Sequence, residues 1–151
     1  MKIKVEVDKS IVEDEIVIKC KELNSNIYDI QKLLSDKINK RTQMMFRKGS
    51  VEYYIELEGI LFFETYDSII NAHTVDEVYE VDYKLYELEE MLPIYFIRVS
   101  KSTILNVMNV ISINRNINSS SIVEFKNTYK TTFVSRHYYK DFKIRLEEVR
   151  I

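Results

Sequence analysis

The chain has 151 residues, a net charge of −2, a hydrophobic share of 46% and only two Gly and one Pro. This length accommodates one compact domain or two small ones, and the scarcity of glycine argues against a glycine-rich nucleotide-binding loop. Abundant Phe and Tyr with frequent Ile and Val favour strands joined by a few helices. Cys20 is the only cysteine, which excludes an internal disulfide and a zinc site built on several thiolates.

The first residues alternate lysine or glutamate with isoleucine or valine and contain no continuous apolar run. They therefore do not have the pattern of a signal peptide. Nowhere does the chain approach the roughly 18 consecutive apolar residues of a membrane-spanning helix. We expect a soluble, cytoplasmic protein.

Charge is unevenly distributed along the chain. Residues 1–95 contain 12 Lys and Arg against 20 Asp and Glu, a balance of −8, whereas residues 96–151 contain 10 against 4, a balance of +6. A basic segment of this kind indicates a polyanionic partner. The alternative is that the two parts neutralise each other across an internal interface.

The amino-terminal residues predict a small β-β-α unit. Lys2–Val7 and Glu15–Cys20 alternate polar and apolar residues, as half-buried strands do. Asn24 or Ser25 can then cap a helix that extends to about Lys40. Its apolar stripe contains Ile27, Ile30, Leu33, Leu34 and Ile38.

A polar and basic stretch, Arg41–Ser50, follows this unit and includes Gly49 as a turn signal. We interpret it as a linker between an amino-terminal extension, residues 1–48, and a second domain, residues 49–151. So short an extension buries too little surface to fold alone.

Short apolar runs beyond the linker predict successive strands. These are Val51–Leu57, Ile60–Thr65, Ile69–Thr74, Glu77–Val81, Phe96–Val99, Thr103–Asn106, Val110–Asn114, Ser121–Lys126 and Thr131–Val134. Two helices are also predicted. Asp82 can cap a short one over Tyr83–Leu92, and Ser135 can cap a final one from about Arg136 to Val149.

Several motifs stand in a fixed order within this second part. They are Gly59-Ile-Leu-Phe-Phe-Glu-Thr65, Lys84-Leu-Tyr-Glu-Leu-Glu-Glu-Met-Leu-Pro93, Phe96-Ile-Arg-Val-Ser-Lys-Ser-Thr-Ile-Leu-Asn106, Asn109-Val-Ile-Ser-Ile113, and Phe125-Lys-Asn with Val134-Ser-Arg136. Together they resemble the LytTR family of DNA-binding domains over roughly residues 51–146. Residues 1–50 look like the amino-terminal extension of a stand-alone subgroup without a receiver domain, where they would serve dimerisation or regulation.

The resemblance implies an α+β, mainly β fold. The LytTR-like domain would have about ten antiparallel strands, a short central helix and a carboxy-terminal helix, and would follow the β-β-α unit. Family members typically lay loops onto successive grooves of double-stranded DNA and bind paired sites as dimers. The implied function is a sequence-specific transcriptional regulator that acts as a homodimer.

The resemblance also assigns site residues. Lys101 and Arg136 match family positions that contact base edges, and an arginine fork suits guanine. A second set is expected to contact DNA phosphates: Ser100, Ser102, Lys126, Ser135, His137 and Lys140. Two positions depart from the family pattern. Ser100 replaces a histidine, and the loop Tyr66-Asp67-Ser68 has an acidic residue where a basic one is common.

Simpler interpretations compete with several of these assignments. Arg98 can pair with Glu64 or Glu90 instead of contacting DNA, Lys101 can be an ordinary solvated turn residue, and Asn106 can bond within its own turn. His73 and His137 lack partners at metal-ligand spacing, and no catalytic motif is present, so we assign no metal, cofactor or catalytic residue.

Two other classes of function remain as alternatives. One is a protein-interaction module that keeps the fold and regulates a partner, possibly a membrane protein, without reading DNA. The other is a single-stranded RNA binder, although the aromatic residues lack an RNP-type arrangement.

Overall fold

The computed structural model describes residues 2, 4–10, 12, 14–38, 43–116 and 118–150. The chain divides into two compact units, residues 1–38 and residues 39–151, and each is considered by itself.

The first unit contains one helix, α1 (Ser25–Ile38). The Asn24 side chain caps it, because Asn24 Oδ1 accepts a hydrogen bond from the Ile27 N–H at 3.1 Å. This confirms the predicted start, whereas the predicted last residues, 39 and 40, lie outside the described residues.

The two strands predicted for this unit are wrong in the residues that the structure describes. Lys2 and residues 4–7, and also Glu15–Cys20, form no strand; Ile3 lies outside the described residues. Val7 and Ile16 are 89% and 62% exposed. An alternating sequence forms a stable strand only when a neighbouring strand and a core cover it. The described residues of this unit provide neither for these two segments.

Seven strands of the second unit form an antiparallel sheet in the order β2-β1-β5-β4-β3-β7-β6. Their bounds are β1 Gln43–Lys48, β2 Val51–Glu56, β3 Phe62–Tyr66, β4 Ile69–His73, β5 Val78–Val81, β6 Phe96–Arg98 and β7 Thr103–Asn106. Apart from β1, all were predicted to within one or two residues at each end.

Strand β1 corrects the predicted linker. Arg41 and Thr42 lie outside the described residues, but Gln43–Lys48 pairs with β2 along its length and with β5 at Glu80. Met44 and Phe46 are buried in the core, so this strand belongs to the second unit. Gly49, with φ of +61°, forms the turn into β2, as its turn signal indicated.

The short central helix, α2 (Leu85–Met91), packs Leu85 and Leu88 against one face of this sheet. Its amino terminus is stabilised by Glu87, whose Oε2 accepts a hydrogen bond from the Lys84 N–H at 2.7 Å. Asp82, the predicted cap, instead forms an ion pair with Arg47.

A three-stranded antiparallel sheet in the order β10-β9-β8 completes the unit: β8 Val110–Asn114, β9 Ser121–Phe125 and β10 Thr131–Val134. The final helix, α3 (Tyr139–Arg150), buries Phe142 in a second core with Phe125. It begins three residues later than predicted, since the Ser135 carbonyl first closes a turn with the Tyr138 N–H. Ten strands with a short central helix and a carboxy-terminal helix confirm the predicted mainly β class.

Candidate nucleic-acid interface

Two hairpin turns lie together at one end of the seven-stranded sheet. Strands β3 and β7 are antiparallel with Glu64 opposite Thr103, so the end of β3 lies beside the start of β7. The Thr65 N–H donates to the Ser102 carbonyl at 2.9 Å. This bond joins the end of β3, just before the turn that contains Asp67, to the β6–β7 turn.

The segment between β10 and α3 lies beside the β6–β7 turn. The Ser135 N–H donates a hydrogen bond to the Val99 carbonyl at 2.9 Å. Lys101 and Arg136, the two predicted base-contacting residues, are therefore carried by segments that a main-chain hydrogen bond holds side by side. We refer to Tyr66–Ser68, Ser100–Ser102 and Ser135–Lys140 as the three-loop end.

The Ser100–Ser102 turn is closed by its own hydrogen bonds. The Val99 N–H donates to the Thr103 carbonyl at 2.9 Å, and the Ser102 N–H donates to Ser100 Oγ at 3.1 Å. The two serine hydroxyl oxygens lie 3.3 Å apart. The Lys101 side chain stands exposed at the tip of this closed turn.

Arg98 stabilises the same turn through its side chain. Its Nε donates to the Ser100 carbonyl at 3.1 Å, another guanidinium nitrogen donates to the Lys101 carbonyl, and a third lies 2.7 Å from a carboxylate oxygen of Glu89. The expected structural role of Arg98 is confirmed. The expected partners, Glu64 and Glu90, are wrong, because α2 presents Glu89 to β6.

The three-loop end carries several exposed basic or titratable groups. Lys101, Arg136, His137 and Lys140 are all exposed, and none of them forms an ion pair with another residue that the structure describes. The His137 ring meets the Tyr138 ring edge to face at 5.2 Å. The charged groups of Lys101, Arg136 and Lys140 are thus available to an external anion.

The β3–β4 turn supplies an opposing charge. Asp67 and Ser68 have φ of +48° and +65°, and Tyr66 pairs with Ile69 around them, which makes a two-residue hairpin with both central residues left-handed. Asp and Ser tolerate this conformation better than bulky residues do. The exposed Asp67 carboxylate makes this loop the acidic part of the three-loop end.

Arg115 was missed by the sequence analysis. The β8–β9 loop that contains it lies beside the β10–α3 junction, because Asn114 pairs with Ile122 and Ser121 with Val134. The Arg115 guanidinium lies 5.1 Å from the centre of the Tyr139 ring. The only signal in the sequence is an arginine within a polar inter-strand loop, and that pattern does not reveal the aromatic partner.

Lys126 does not join this group, contrary to the expectation that it lies near the same surface. It follows the far end of β9, five residues after Ser121, which corresponds to roughly 16 Å along a strand. Its Nζ donates to the Met108 carbonyl at 3.0 Å.

Asn106 also has a structural role, as expected. Its Oδ1 accepts from the Met108 N–H at 2.9 Å, and its Nδ2 donates to the Ile60 carbonyl at 3.1 Å, so it joins two segments as well as its own turn. Within the described ranges, no three His, Cys, Asp or Glu side chains are grouped so as to hold a metal ion. None of the helices described is long and apolar enough to cross a membrane.

Comparisons with known proteins agree on one family. The model of the LytTr DNA-binding domain matches residues 50–147. An HTH-type transcriptional regulator of Staphylococcus aureus strain NCTC 8325 is 27% identical over 146 residues, which cover 97% of this chain and 98% of the relative. A homologue from S. aureus strain N315 that carries the same description is 26% identical over 146 residues, with the same coverage of both chains.

A solved structure shows the same fold. The LytTr DNA-binding domain of a Bacillus cereus protein superposes with a TM-score of 0.65 at 21% identity, covering 70% of this chain and 97% of that one. The family match covers well over half of the chain. The chain belongs to the LytTR family of DNA-binding domains.

Proposed function

We propose that this protein is a transcriptional regulator that binds double-stranded DNA sequence-specifically through the three-loop end. The observation that carries the proposal is the hydrogen bond from the Ser135 N–H to the Val99 carbonyl, because it holds the Lys101 turn beside Arg136. Both side chains are exposed and have no described ion-pair partner. An arginine offers guanine a bidentate fork, and a lysine can donate to the same O6 and N7 acceptors.

The phosphate backbone is bound by the groups around these two side chains. The serines and basic residues in this role are Ser100, Ser102, Ser135, His137, Lys140 and Arg115. Hydroxyl, ammonium and guanidinium donors fix the position of a protein on the duplex without reading its sequence. Lys126 is left out of this set, because its ammonium is bonded to a main-chain carbonyl elsewhere.

Base reading on this fold relies on turns and not on a pair of adjacent helices. Five strands separate α2 from α3, so these helices do not form a helix-turn-helix unit in sequence. The tip of the Lys101 turn and the start of the α3 region would enter neighbouring stretches of groove. The acidic Asp67 turn would stay at the margin, since its carboxylate repels phosphate.

The protein acts, on this proposal, as a cytoplasmic homodimer on paired half-sites. The family habit of binding paired sites supports the dimer, and the relatives named as transcriptional regulators support the regulatory role. The amino-terminal unit, residues 1–38, supplies dimerisation or regulation.

Selection of duplexes from a randomised DNA library tests the function. We expect an enriched motif that occurs twice, and binding that weakens steeply as salt is added, by a slope of about 0.9 per neutralised phosphate on logarithmic axes. Sedimentation with one or two motifs would show whether two chains bind. Equal retention of all duplexes would disprove sequence specificity, and retention of none would disprove DNA binding.

A second candidate is a protein-interaction module that regulates a partner, for example a membrane protein. It is favoured by the edge strand β2, which exposes Val51, Tyr53 and Tyr54. Unpaired strand edges can add a strand from another chain. Failure of the DNA selection together with co-purification of a partner, lost on Tyr54→Lys, would favour this candidate.

A further inference from the structure

The Arg98 guanidinium bonds to the main chain of the Ser100–Ser102 turn. It donates to two consecutive carbonyls, those of Ser100 and Lys101, while the Lys101 side chain is exposed. Main-chain N–H groups close the rest of the turn, and no other hydrogen bond to these two carbonyls is present among the described residues. Arg98 therefore determines the orientation of the two peptide groups that flank Lys101.

The guanidinium is itself fixed by Glu89. One terminal nitrogen lies 2.7 Å from Glu89 Oε2, and the Arg98 side chain is only 23% exposed. Glu89 belongs to α2, which packs on the sheet through Leu85 and Leu88. A rigid helix is thus connected through one carboxylate and one guanidinium to the turn that carries Lys101.

Only arginine can make this set of bonds. Its planar fork presents donors in different directions from one rigid group, whereas a lysine concentrates its donors on a single nitrogen. A lysine at position 98 could keep the ion pair or bond to the turn, but it could not hold both carbonyls and the carboxylate in one geometry.

We propose that Arg98 and Glu89 form a positioning pair that sets the orientation of Lys101 and thereby its discrimination among base pairs. The inference deepens the proposed function and rests on it. Neither member of the pair contacts DNA. Sites that read a ligand need their contacting groups held to about half an ångström, which a turn held only by its own short bonds does not provide.

The neighbouring glutamates of α2 offer a matched comparison. Glu89→Gln and Glu90→Gln change the net charge of the protein equally, but only the first weakens the anchor of Arg98. Glu90 is exposed and forms no ion pair with a described residue. We expect Glu89→Gln to lower the ratio of cognate to random-duplex affinity roughly threefold to tenfold, in the range of couplings between contacting groups, and Glu90→Gln to leave it unchanged.

A double-mutant cycle with Lys101→Ala tests whether Arg98 and Glu89 affect discrimination through Lys101. If the pair acts through Lys101, Glu89→Gln has no further effect on discrimination once Lys101 has been removed. Arg98→Lys should resemble Glu89→Gln and not the parent. An equal loss from Glu89→Gln with and without Lys101 would overturn the proposal.

Amide hydrogen exchange in the absence of DNA separates this proposal from the proposed function. The amides of Val99 and Ser102, which close the turn, should exchange faster in Glu89→Gln and Arg98→Lys than in Glu90→Gln. If Lys101→Ala leaves discrimination intact, the proposed base contact is wrong and this proposal falls with it. If Lys101→Ala does reduce discrimination but Glu89→Gln behaves like Glu90→Gln in both measurements, the positioning pair alone is wrong.

Discussion

The two ends of the LytTR domain use their basic residues in opposite ways. At the three-loop end, Lys101 and Arg136 are exposed and form no described ion pair. At the other end, which we call the tied end and define as Thr74–Glu77 and Lys126–Lys130, the ammonium groups bond to main-chain carbonyls. Lys130 Nζ donates to the carbonyls of Thr74 and Glu77, both at 2.8 Å.

The comparison shows why a basic segment is a weak guide to a binding surface. The balance of +6 over residues 96–151 includes Lys126 and Lys130 as well as Lys101 and Arg136. A lysine whose ammonium donates to main-chain carbonyls contributes to the fold, and fewer of its three N–H donors remain for a phosphate. Which cations can meet DNA therefore depends on their hydrogen bonds within the fold.

The largest effect expected is that of Arg136→Ala on cognate DNA. Loss of a bidentate base contact should reduce discrimination by about 1–3 kcal/mol, with a smaller effect on random duplexes. Fluorescence anisotropy with both duplexes measures it, and Lys126→Ala is the control from the tied end. An equal loss on both duplexes would show that Arg136 contacts only phosphate.

Unlike Arg136→Ala, Lys130→Met should lower the stability of the protein and leave its DNA binding unchanged. Removal of the ammonium leaves the Thr74 carbonyl without a donor among the described residues, whereas the Glu77 carbonyl still accepts from the Thr74 N–H. We expect the free energy of unfolding to fall by about 1–2 kcal/mol. Urea denaturation measures this loss, and Lys101→Met provides the comparison at the three-loop end. A drop in DNA affinity for the folded variant would contradict the distinction between the ends.

Arg115→Ala tests whether the β8–β9 loop contacts DNA together with the three-loop end. If its guanidinium, lying over Tyr139, meets one phosphate, the salt dependence of binding becomes shallower by about 0.9 on logarithmic axes and affinity falls by about 0.5–1 kcal/mol for every sequence alike. Arg115→Lys should keep the slope. An unchanged slope in Arg115→Ala would exclude this loop from the interface.

The smallest effect concerns pH and His73, the last residue of β4, next to the tied end. Burial lowers the pKa of His73, and the nearby Lys130 adds to this, although Glu64 opposes it with an oxygen 2.9 Å from Nε2. The unfolded chain binds a proton near pH 6.5, before the folded chain does, so stability falls as the pH drops below about 6.5. Urea denaturation at about pH 7.5 and 5.5 should show a lower free energy of unfolding at the lower pH, with a smaller difference in His73→Gln. An identical loss in that variant would assign the effect to other groups.

Most of the strand pattern could be predicted from the sequence, because alternation and apolar runs record which side chains a sheet buries. The strand predictions failed where the local sequence pattern did not match the burial and strand pairing in the fold. Glu15–Cys20 alternates like a strand, but no neighbouring strand is present among the described residues of its unit. Conversely, the polar residues around Met44 and Phe46 made β1 look like a linker. In the structure, β1 lies between β2 and β5 in the sheet and buries both of these side chains in the core.

The site was predicted only at the level of segments. The resemblance directed attention to the turn at Lys101 and the region of Arg136, but side-chain partners depend on distances across the fold. Glu89 and Glu90 are indistinguishable in sequence, and only the phase of α2 determines which one faces Arg98. Arg115 and Tyr139 are 24 positions apart, and their contact arises from the pairing of β8, β9 and β10.

Main-chain hydrogen bonds connect the segments that carry the three loops. Thr65, just before the first loop, bonds to Ser102, and Ser135 bonds to Val99, just before the second loop. Bonds of this kind do not depend on which side chain a position carries. Residues 101 and 136 can therefore be exchanged for others while the framework keeps its shape. On the proposed function, a few substitutions at these positions would change the DNA sequence that the protein prefers, with little cost in folding.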